Sequence, residues 1–305
     1  MKLIAFILLI LITPFPFIGL IERFKSMWMG RKGPKISQPF WDILRLFRKG
    51  EVISSVTSFV FSVGASVYLA SVITAALFVA PHPVWSVASF PGDFILFAYL
   101  LGFGRFFLIL SAMDTGSSFE GMGASREITF ATLVEPAFFV LLGTLALLTG
   151  QTSFSTIFAH LNTQPEGVLF IKIIGVPALF LMLLVEGSRG PVDDPATHLE
   201  LTMIHEVMVL DHSGPNLAFV LYGSWLKMIL IMQLIAGILI PPALPLEIQI
   251  ACWAGVMFLG SFTTALVESL VARVRMSHNP QLIFGMTALA LMAFASILYF
   301  IHGGV

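Results

Sequence analysis

The chain has 305 residues, of which 57% are hydrophobic and 11% are charged, and its mean hydropathy is +0.95. Ordinary soluble domains contain about 45–50% apolar residues, so this composition excludes a simple soluble domain and directs the apolar segments towards lipid or other membrane subunits. The formal net charge of −1 gives a nucleic-acid partner no electrostatic basis.

Eight apolar segments are long enough to cross a bilayer, which takes about 20 residues in a helix. We interpret the first as a retained helix rather than a signal peptide, because no small-residue cleavage site follows it. The sequence therefore predicts an all-α integral membrane protein in which residues 1–305 form a single polytopic membrane domain. The predicted spans are roughly 3–21, 57–80, 93–112, 129–149, 167–187, 217–240, 246–270 and 281–301.

Lysines and arginines set the predicted orientation of these spans. They crowd the segment between the first two spans and recur at Arg126, Arg189, Arg273 and Arg275, whereas the opposite loops contain none. Basic residues mark the cytoplasmic side, so both termini are predicted to face outward. The predicted cytoplasmic loops are about 22–56, 113–128, 188–216 and 271–280.

A basic amphipathic helix is predicted within the first of these loops, at residues 36–49. Phe40, Ile43 and Phe47 recur at helical spacing, while Arg45 and Lys49 share another face. The segment is too short to span a bilayer and fits a helix lying in the membrane interface. A loop that only sets the topology is the alternative interpretation, and the same basic residues serve both.

The loop that follows the fifth span is unusually polar for so apolar a chain. Asp194 is predicted to cap a short helix with Pro195 at its first position, or Thr197 and Glu200 form a capping box. Three histidines repeat every seven residues and are predicted to share one side of a continuous helix that ends at Gly214 and Pro215: His198, His205 and His212. Proton shuttling or docking to a partner is favoured over metal binding.

Ionisable residues within the predicted spans are the other functional signal, because each costs several kcal/mol in hydrocarbon unless it is paired or hydrated. For Glu135, about six residues into its predicted helix, and for Glu186 we favour proton relay over static ion pairing. For Arg105 and Lys172 we favour a structural role. The role of Lys227 stays open between the two.

The sequence contains no motif for redox or nucleophilic chemistry. The lone Cys252 excludes thiolate-ligated zinc and iron–sulfur centres built from this chain alone. Nucleophile-elbow, Walker and dinucleotide patterns are missing as well. The sequence therefore predicts no catalytic residue, no cofactor-binding residue and no metal ligand here, so any redox centre is expected on a partner.

Three motifs resemble the membrane subunit that joins the two arms of respiratory complex I, the complex I subunit 1 family. The first runs from Met29 to Pro34 (MGRKGP) and continues at Gln38–Phe47 (QPFWDILRLF). The second is GASR ending at Arg126, followed by Glu135. The third, EGSRGPVD from Glu186 to Asp193, is similar to that family's Glu-x-Asn-Arg-x-Pro-Phe-Asp motif.

One branch of that family is a closer match. Complex I subunits continue with glutamates at alternate positions, where this chain has Ala196, His198 and Glu200. The runs PVDDPATHLELTMIHE from Pro191 and LDHSGP from Leu210 instead resemble formate hydrogenlyase subunit 4 and hydrogenase-4 component C. These are membrane anchors of group 4 nickel–iron hydrogenases.

The resemblance implies a non-catalytic subunit in a bacterial or archaeal cytoplasmic membrane. It implies a nickel–iron large subunit and an iron–sulfur small subunit docked on the cytoplasmic face, which carry the nickel–iron centre and the clusters, and an antiporter-like subunit in the membrane. The alternatives are a quinone-chamber subunit of a complex I-type enzyme, a stand-alone ion carrier and a purely structural anchor. The residues expected to couple redox chemistry to proton or sodium movement are Glu135, Glu186, Glu200, Glu206, Asp193, Asp194, Arg126, Arg189, Lys227 and His198.

Overall fold

A computed structural model describes residues 2–79, 87–161, 165–193 and 203–303. Every regular element in these ranges is a helix. A π-helical turn occupies Ile171–Gly175, and 3-10 turns occupy Glu206–Val209 and Met276–His278. The α-helices are α1 (Lys2–Ile12), α2 (Pro14–Trp28), α3 (Gln38–Phe47), α4 (Phe59–Ala76), α5 (Asp93–Asp114), α6 (Ser118–Thr149), α7 (Phe154–His160), α8 (Pro165–Phe170), α9 (Val176–Glu186), α10 (Gly214–Leu239), α11 (Leu246–Leu270) and α12 (Asn279–Gly303).

Within the described ranges, eight helical segments have the length and the apolar composition needed to cross a membrane, which confirms the predicted all-α membrane fold. Each falls on one of the predicted spans. The outward position of both termini stays a prediction. The eight segments are Ile7–Trp28, Phe59–Ala76, Asp93–Asp114, Ser118–Thr149, Gly167–Glu186, Gly214–Leu239, Leu246–Leu270 and Asn279–Ile301.

Two predicted spans differ from the structure, one by an internal break and the other in where it begins. The first is two helices, α1 and α2, that meet at Thr13 and Pro14, where proline lacks the N–H that would continue the ladder. The helix α6 begins at Ser118, so the prediction of a loop at 113–128 was wrong over most of its length. Glu135 therefore lies much deeper in its helix than predicted.

The amphipathic helix is confirmed as α3, which lies against α2 and α10. Its Ile43 side chain is buried, whereas Arg45 is exposed. The rings of Phe40 and Phe15 meet edge to face with centroids 5.4 Å apart, which anchors the start of α3 on α2. Its position in the membrane interface stays a prediction.

The polar segment after α9 does not continue as one helix. Residues 203–213 are irregular apart from the 3-10 turn, so the prediction of a continuous helix through His205 and His212 was wrong. Gly214 and Pro215 begin α10 instead of ending a preceding helix, because proline is well suited to the first helical turn. The predicted caps at Asp194, Thr197 and Glu200 lie outside the described residues.

The helix α10 is the centre of the bundle. It contacts α2, α3, α4, α9 and α11, and 72% of its span is buried, the largest share among the eight. Its one charged residue, Lys227, is consequently enclosed by protein and does not face lipid. A lysine in such a place must find a carboxylate partner or lose its charge.

Close packing between α4 and α5 depends on Gly64. A Cβ atom at this position would lie 2.7 Å from Ser111 Cβ and 2.9 Å from the Phe107 carbonyl oxygen. Gly64→Leu is therefore expected to destabilise the fold by about 1–3 kcal/mol. Thermal unfolding in detergent should show a Tm several degrees lower. Gly143→Leu is the matched control, because a Cβ there meets no atom within 4 Å, and an equal loss in both variants would contradict the prediction.

Candidate functional site

Arg105, halfway along α5, binds three carboxylates inside the bundle. Its side chain is 8% exposed. Its Nε lies 3.1 Å from Glu127 Oε1, and its Nη1 donates to Glu135 Oε1 over 2.9 Å. Its Nη2 contacts both oxygens of Glu186. The planar guanidinium has donors on all its edges, which is why one arginine can join carboxylates from α6 and α9.

A second cation, Lys227 on α10, shares Glu186 with Arg105. Its Nζ lies 3.0 Å from Glu186 Oε2, and both side chains are almost fully buried. Glu186 is the last residue of α9, so the end of that helix is held between α5 and α10. The buried lysine thereby keeps a partner for its charge.

Towards the polar segment, Glu127 connects Arg105 to His205. The Oε2 atom of Glu127 lies 3.0 Å from His205 Nε2, and His205 Nδ1 lies 3.7 Å from Asp193 Oδ2. Asp193 Oδ1 accepts a hydrogen bond of 2.8 Å from Arg273 Nη2. We call the eight residues of this continuous series the ion-pair path: Glu135, Arg105, Glu186, Lys227, Glu127, His205, Asp193 and Arg273.

Proton binding in the path is centred on His205. Burial by itself lowers the pKa of His205, but the Glu127 carboxylate and the nearby Asp193 carboxylate outweigh it and raise the pKa to about 9. Burial favours the neutral acid at Asp193, yet contacts with His205 and the N–H groups of Ile204 and His205 hold the pKa of Asp193 below its ordinary value. His205 is thus protonated at neutral pH. With that proton, the four cations of the path balance its four carboxylates.

A small cavity adjoins the path. Its lining includes Arg105, Glu127, Lys227, His205 and Glu206. Its volume leaves room for a few water molecules, and its polar walls supply the hydrogen-bond partners that ordered water needs. Water there can connect groups of the path that do not touch directly.

Arg189 belongs to a separate cluster between α2 and α11. Its Nη1 lies 3.2 Å from Glu22 Oε1 and 3.4 Å from Glu268 Oε1. Lys25 Nζ approaches Glu268 Oε2 at 2.7 Å. Arg126 donates to the carbonyl oxygen of Met203 over 2.8 Å, which attaches α6 to the polar segment. The predicted influence of both arginines on the coupling carboxylates stays a prediction.

The structure brings together four of the residues predicted from sequence: Glu135, Glu186, Lys227 and Asp193. Glu206 lies beside them on the cavity wall. Asp194, His198 and Glu200 lie outside the described residues. His212 is separate, since its ring packs against the Phe61 ring at a tilt of 40°, and burial lowers its pKa to about 4, which makes it neutral at physiological pH.

Sequence reasoning missed Glu127 and Arg273 and favoured a structural role for Arg105. Glu127 fell in the predicted loop before α6 and was therefore not considered as a membrane residue. Its spacing to Glu135 was the available signal, because residues eight apart lie on one face of a helix. Among the described residues, no group of three or more histidine, cysteine, aspartate or glutamate side chains has the arrangement of a metal site.

The fold and the site define a class: a multi-pass membrane protein with a buried ion-pair path that leads to one end of the helix bundle. The sequence profile of the family described as NADH dehydrogenase matches residues 1–301. The chain therefore belongs to the NADH dehydrogenase family, which is the complex I subunit 1 family.

Two relatives from Escherichia coli K12 are similar over most of their length. Hydrogenase-4 component C is 31% identical over 246 residues, which cover 81% of this chain and 76% of the relative. Formate hydrogenlyase subunit 4 is 27% identical over 289 residues, which cover 92% of each. These matches confirm the resemblance that the motifs indicated.

A solved structure shares the fold. It is a chain of the membrane-bound sulfane sulfur reductase, an archaeal respiratory membrane complex. The superposition covers 97% of this chain and 98% of the other, with a TM-score of 0.79 and 19% sequence identity. At that identity the likeness concerns the fold alone.

Proposed function

We propose that this chain is the membrane-anchor subunit of a group 4 nickel–iron hydrogenase or formate hydrogenlyase-type complex, with no redox centre of its own. The ion-pair path is the observation that carries the proposal, because it links the middle of the membrane bundle to the polar segment at its end. The names of the two relatives support a hydrogenase complex over other members of the family.

In this proposal the polar segment 187–213 is the docking face for the nickel–iron large subunit and the iron–sulfur small subunit. Those partners hold the nickel–iron centre and the clusters, and an antiporter-like subunit lies alongside in the membrane. The complex resides in a bacterial or archaeal cytoplasmic membrane. The acidic and basic residues within this segment are suited to polar contacts with a soluble partner.

Coupling follows from the charge balance of the path. Redox chemistry in a docked partner moves the segment around His205 or changes its proton occupancy. A neutral His205 leaves one excess negative charge, and Arg105 then shifts its contacts from Glu186 and Glu135 towards Glu127. In this proposal Arg105 with its three carboxylates serves as the two-state element that such coupling requires. Released from Arg105, Glu135 becomes available to bind a proton or a sodium ion.

The proposal is tested by isolating the tagged chain from native membranes in mild detergent and analysing the metals that copurify. Stoichiometric nickel with iron–sulfur proteins is the expected result. Flavin and quinone without nickel would instead assign the chain to a complex I-type enzyme. A lone chain without metal would contradict both assignments and favour a stand-alone carrier.

Coupling is tested by Glu186→Gln in the assembled complex. The glutamine leaves Arg105 and Lys227 with less negative charge, so ion movement should fall by at least about tenfold, the effect of roughly 1.4 kcal/mol in a barrier. Hydrogen evolution driven by reduced methyl viologen should persist, because the partner centres are untouched. Proton uptake into vesicles measures the ion movement. Glu247→Gln, at an exposed position in the first turn of α11, is the control. Unchanged coupling in Glu186→Gln would indicate that the chain is a purely structural anchor.

A further inference from the structure

An open groove runs along the outer face of the bundle between α5 and α6. Its walls are aromatic, formed by Tyr99, Phe103 and Phe106 of α5 and Phe139 of α6. The first three side chains are at least half exposed. Gly102, Arg105, Thr132 and Glu135 also line it, so the groove places a carboxylate and its arginine partner within a largely apolar surface.

Glu135 is the most exposed of the three carboxylates that bind Arg105, and it lines this groove. Its side chain is 48% exposed, whereas those of Arg105, Glu127 and Glu186 are 8% exposed or less. It pairs with Arg105 near the middle of α5, a 22-residue span, so the groove lies at the depth of the hydrocarbon. A charged side chain facing lipid there costs several kcal/mol.

Arg105 cannot fully offset this cost, because it is shared with two other carboxylates. A lipid acyl chain would add no hydrogen-bond donor. A protein side chain with a cation, amide or hydroxyl group would both cover the carboxylate and complement its charge. The exposed carboxylate therefore specifies a polar protein partner within the membrane.

We propose that this groove binds a transmembrane helix of a neighbouring membrane subunit, which presents a lysine, arginine or other hydrogen-bond donor to Glu135. The lack of a side chain at Gly102 lets the incoming helix approach closely, and Ala131 and Thr132 on α6 are small as well. Small residues are typical of helix contacts in membranes, where close approach replaces the hydrophobic driving force. The inference rests on the proposed membership of a multisubunit complex.

Photo-crosslinking in the assembled complex tests the inference. A benzophenone amino acid replaces Phe106 in the groove or, as the matched control, Phe284, which is 57% exposed on α12. The expected product from position 106 is a crosslink to a transmembrane segment that carries a donor side chain within about one helical turn, 5.4 Å, of the linked residue. The benzophenone at position 284 should give no crosslink to that segment. Lipid adducts alone from position 106, in a complex that retains its subunits, would overturn the inference.

Filling the groove is the second test. A Cβ atom at position 102 would lie 3.6 Å from Glu135 Oε1, an ordinary contact, so Gly102→Leu is compatible with the fold of the chain itself. The yield of the neighbouring membrane subunit should fall about tenfold, while the redox subunits remain bound. Gly255→Leu on α11, where a Cβ meets no atom within 4 Å, is the control.

The two proposals fail in distinguishable ways. Copurification of redox subunits with Gly102→Leu, together with an undiminished yield of every membrane subunit, would overturn the groove proposal alone. If the unmodified chain copurifies with no redox subunit, the proposed function fails. Crosslinks from position 106 to a donor-bearing membrane helix would still support the groove in that case.

Discussion

Arg105→Leu is expected to be the most damaging single substitution in the chain, with a loss of about 3–5 kcal/mol in folding free energy. The change leaves Glu127 and Glu186 buried, with Lys227 and His205 as their remaining cations. Removing one partner of a buried ion pair costs far more free energy than the intact pair contributes. The remaining charge stays buried without an opposite charge to compensate it. Thermal unfolding of the purified chain in detergent and the yield of assembled complex should both fall steeply.

Two variants separate this effect from loss of charge in general. Arg105→Lys restores the charge but cannot reach three carboxylates from one point, so we expect an intermediate loss. Arg45→Leu removes an exposed arginine that pairs with Asp42 at 3.5 Å, and exposed pairs contribute about 0–1 kcal/mol. An Arg105→Leu protein as stable as Arg45→Leu would show that the ion-pair path does not hold the bundle together.

Stability should decline as the pH rises towards and through about 9, and His205 should be the cause. The pKa of His205 is about 9 in the folded chain and about 6.5 in an unfolded one. A group with a raised pKa contributes its full stabilisation below the unfolded value and loses it as the pH passes the folded value. The contribution is up to roughly 3 kcal/mol, since each pKa unit corresponds to about 1.4 kcal/mol.

The measurement is the Tm of the purified chain between pH 6 and pH 10. The Tm of the unmodified chain should fall across the upper part of this range, and His205→Asn should flatten that fall, since asparagine carries no titrating proton. His160→Gln is the control, because His160 is exposed and lies in the short α7. A His205→Asn protein with the same pH profile as the unmodified chain would show that some other group titrates.

The spans were the part of the fold that sequence predicted well, because an apolar run of about 20 residues has few alternatives to a membrane helix. The start of α6 was not predicted, since residues 118–128 combine glycine, serine and charged side chains that are typical of a loop. Tertiary contacts determine that these residues are helical. A Cβ at Gly123 would crowd Met208 Cγ at 3.0 Å, so the polar segment packs directly on this first part of α6.

Composition and local pattern by themselves determined that this chain is an eight-span membrane protein with carboxylates at Glu135 and Glu186 in its apolar segments, because a charge in an apolar run is visible without a structure. The partners of those charges were decided only by tertiary structure. Arg105 and Glu186 lie far apart in sequence, and no local rule pairs them. The crossing of α5, α6, α9 and α10 sets which side chains meet, and therefore turns separate buried charges into one path.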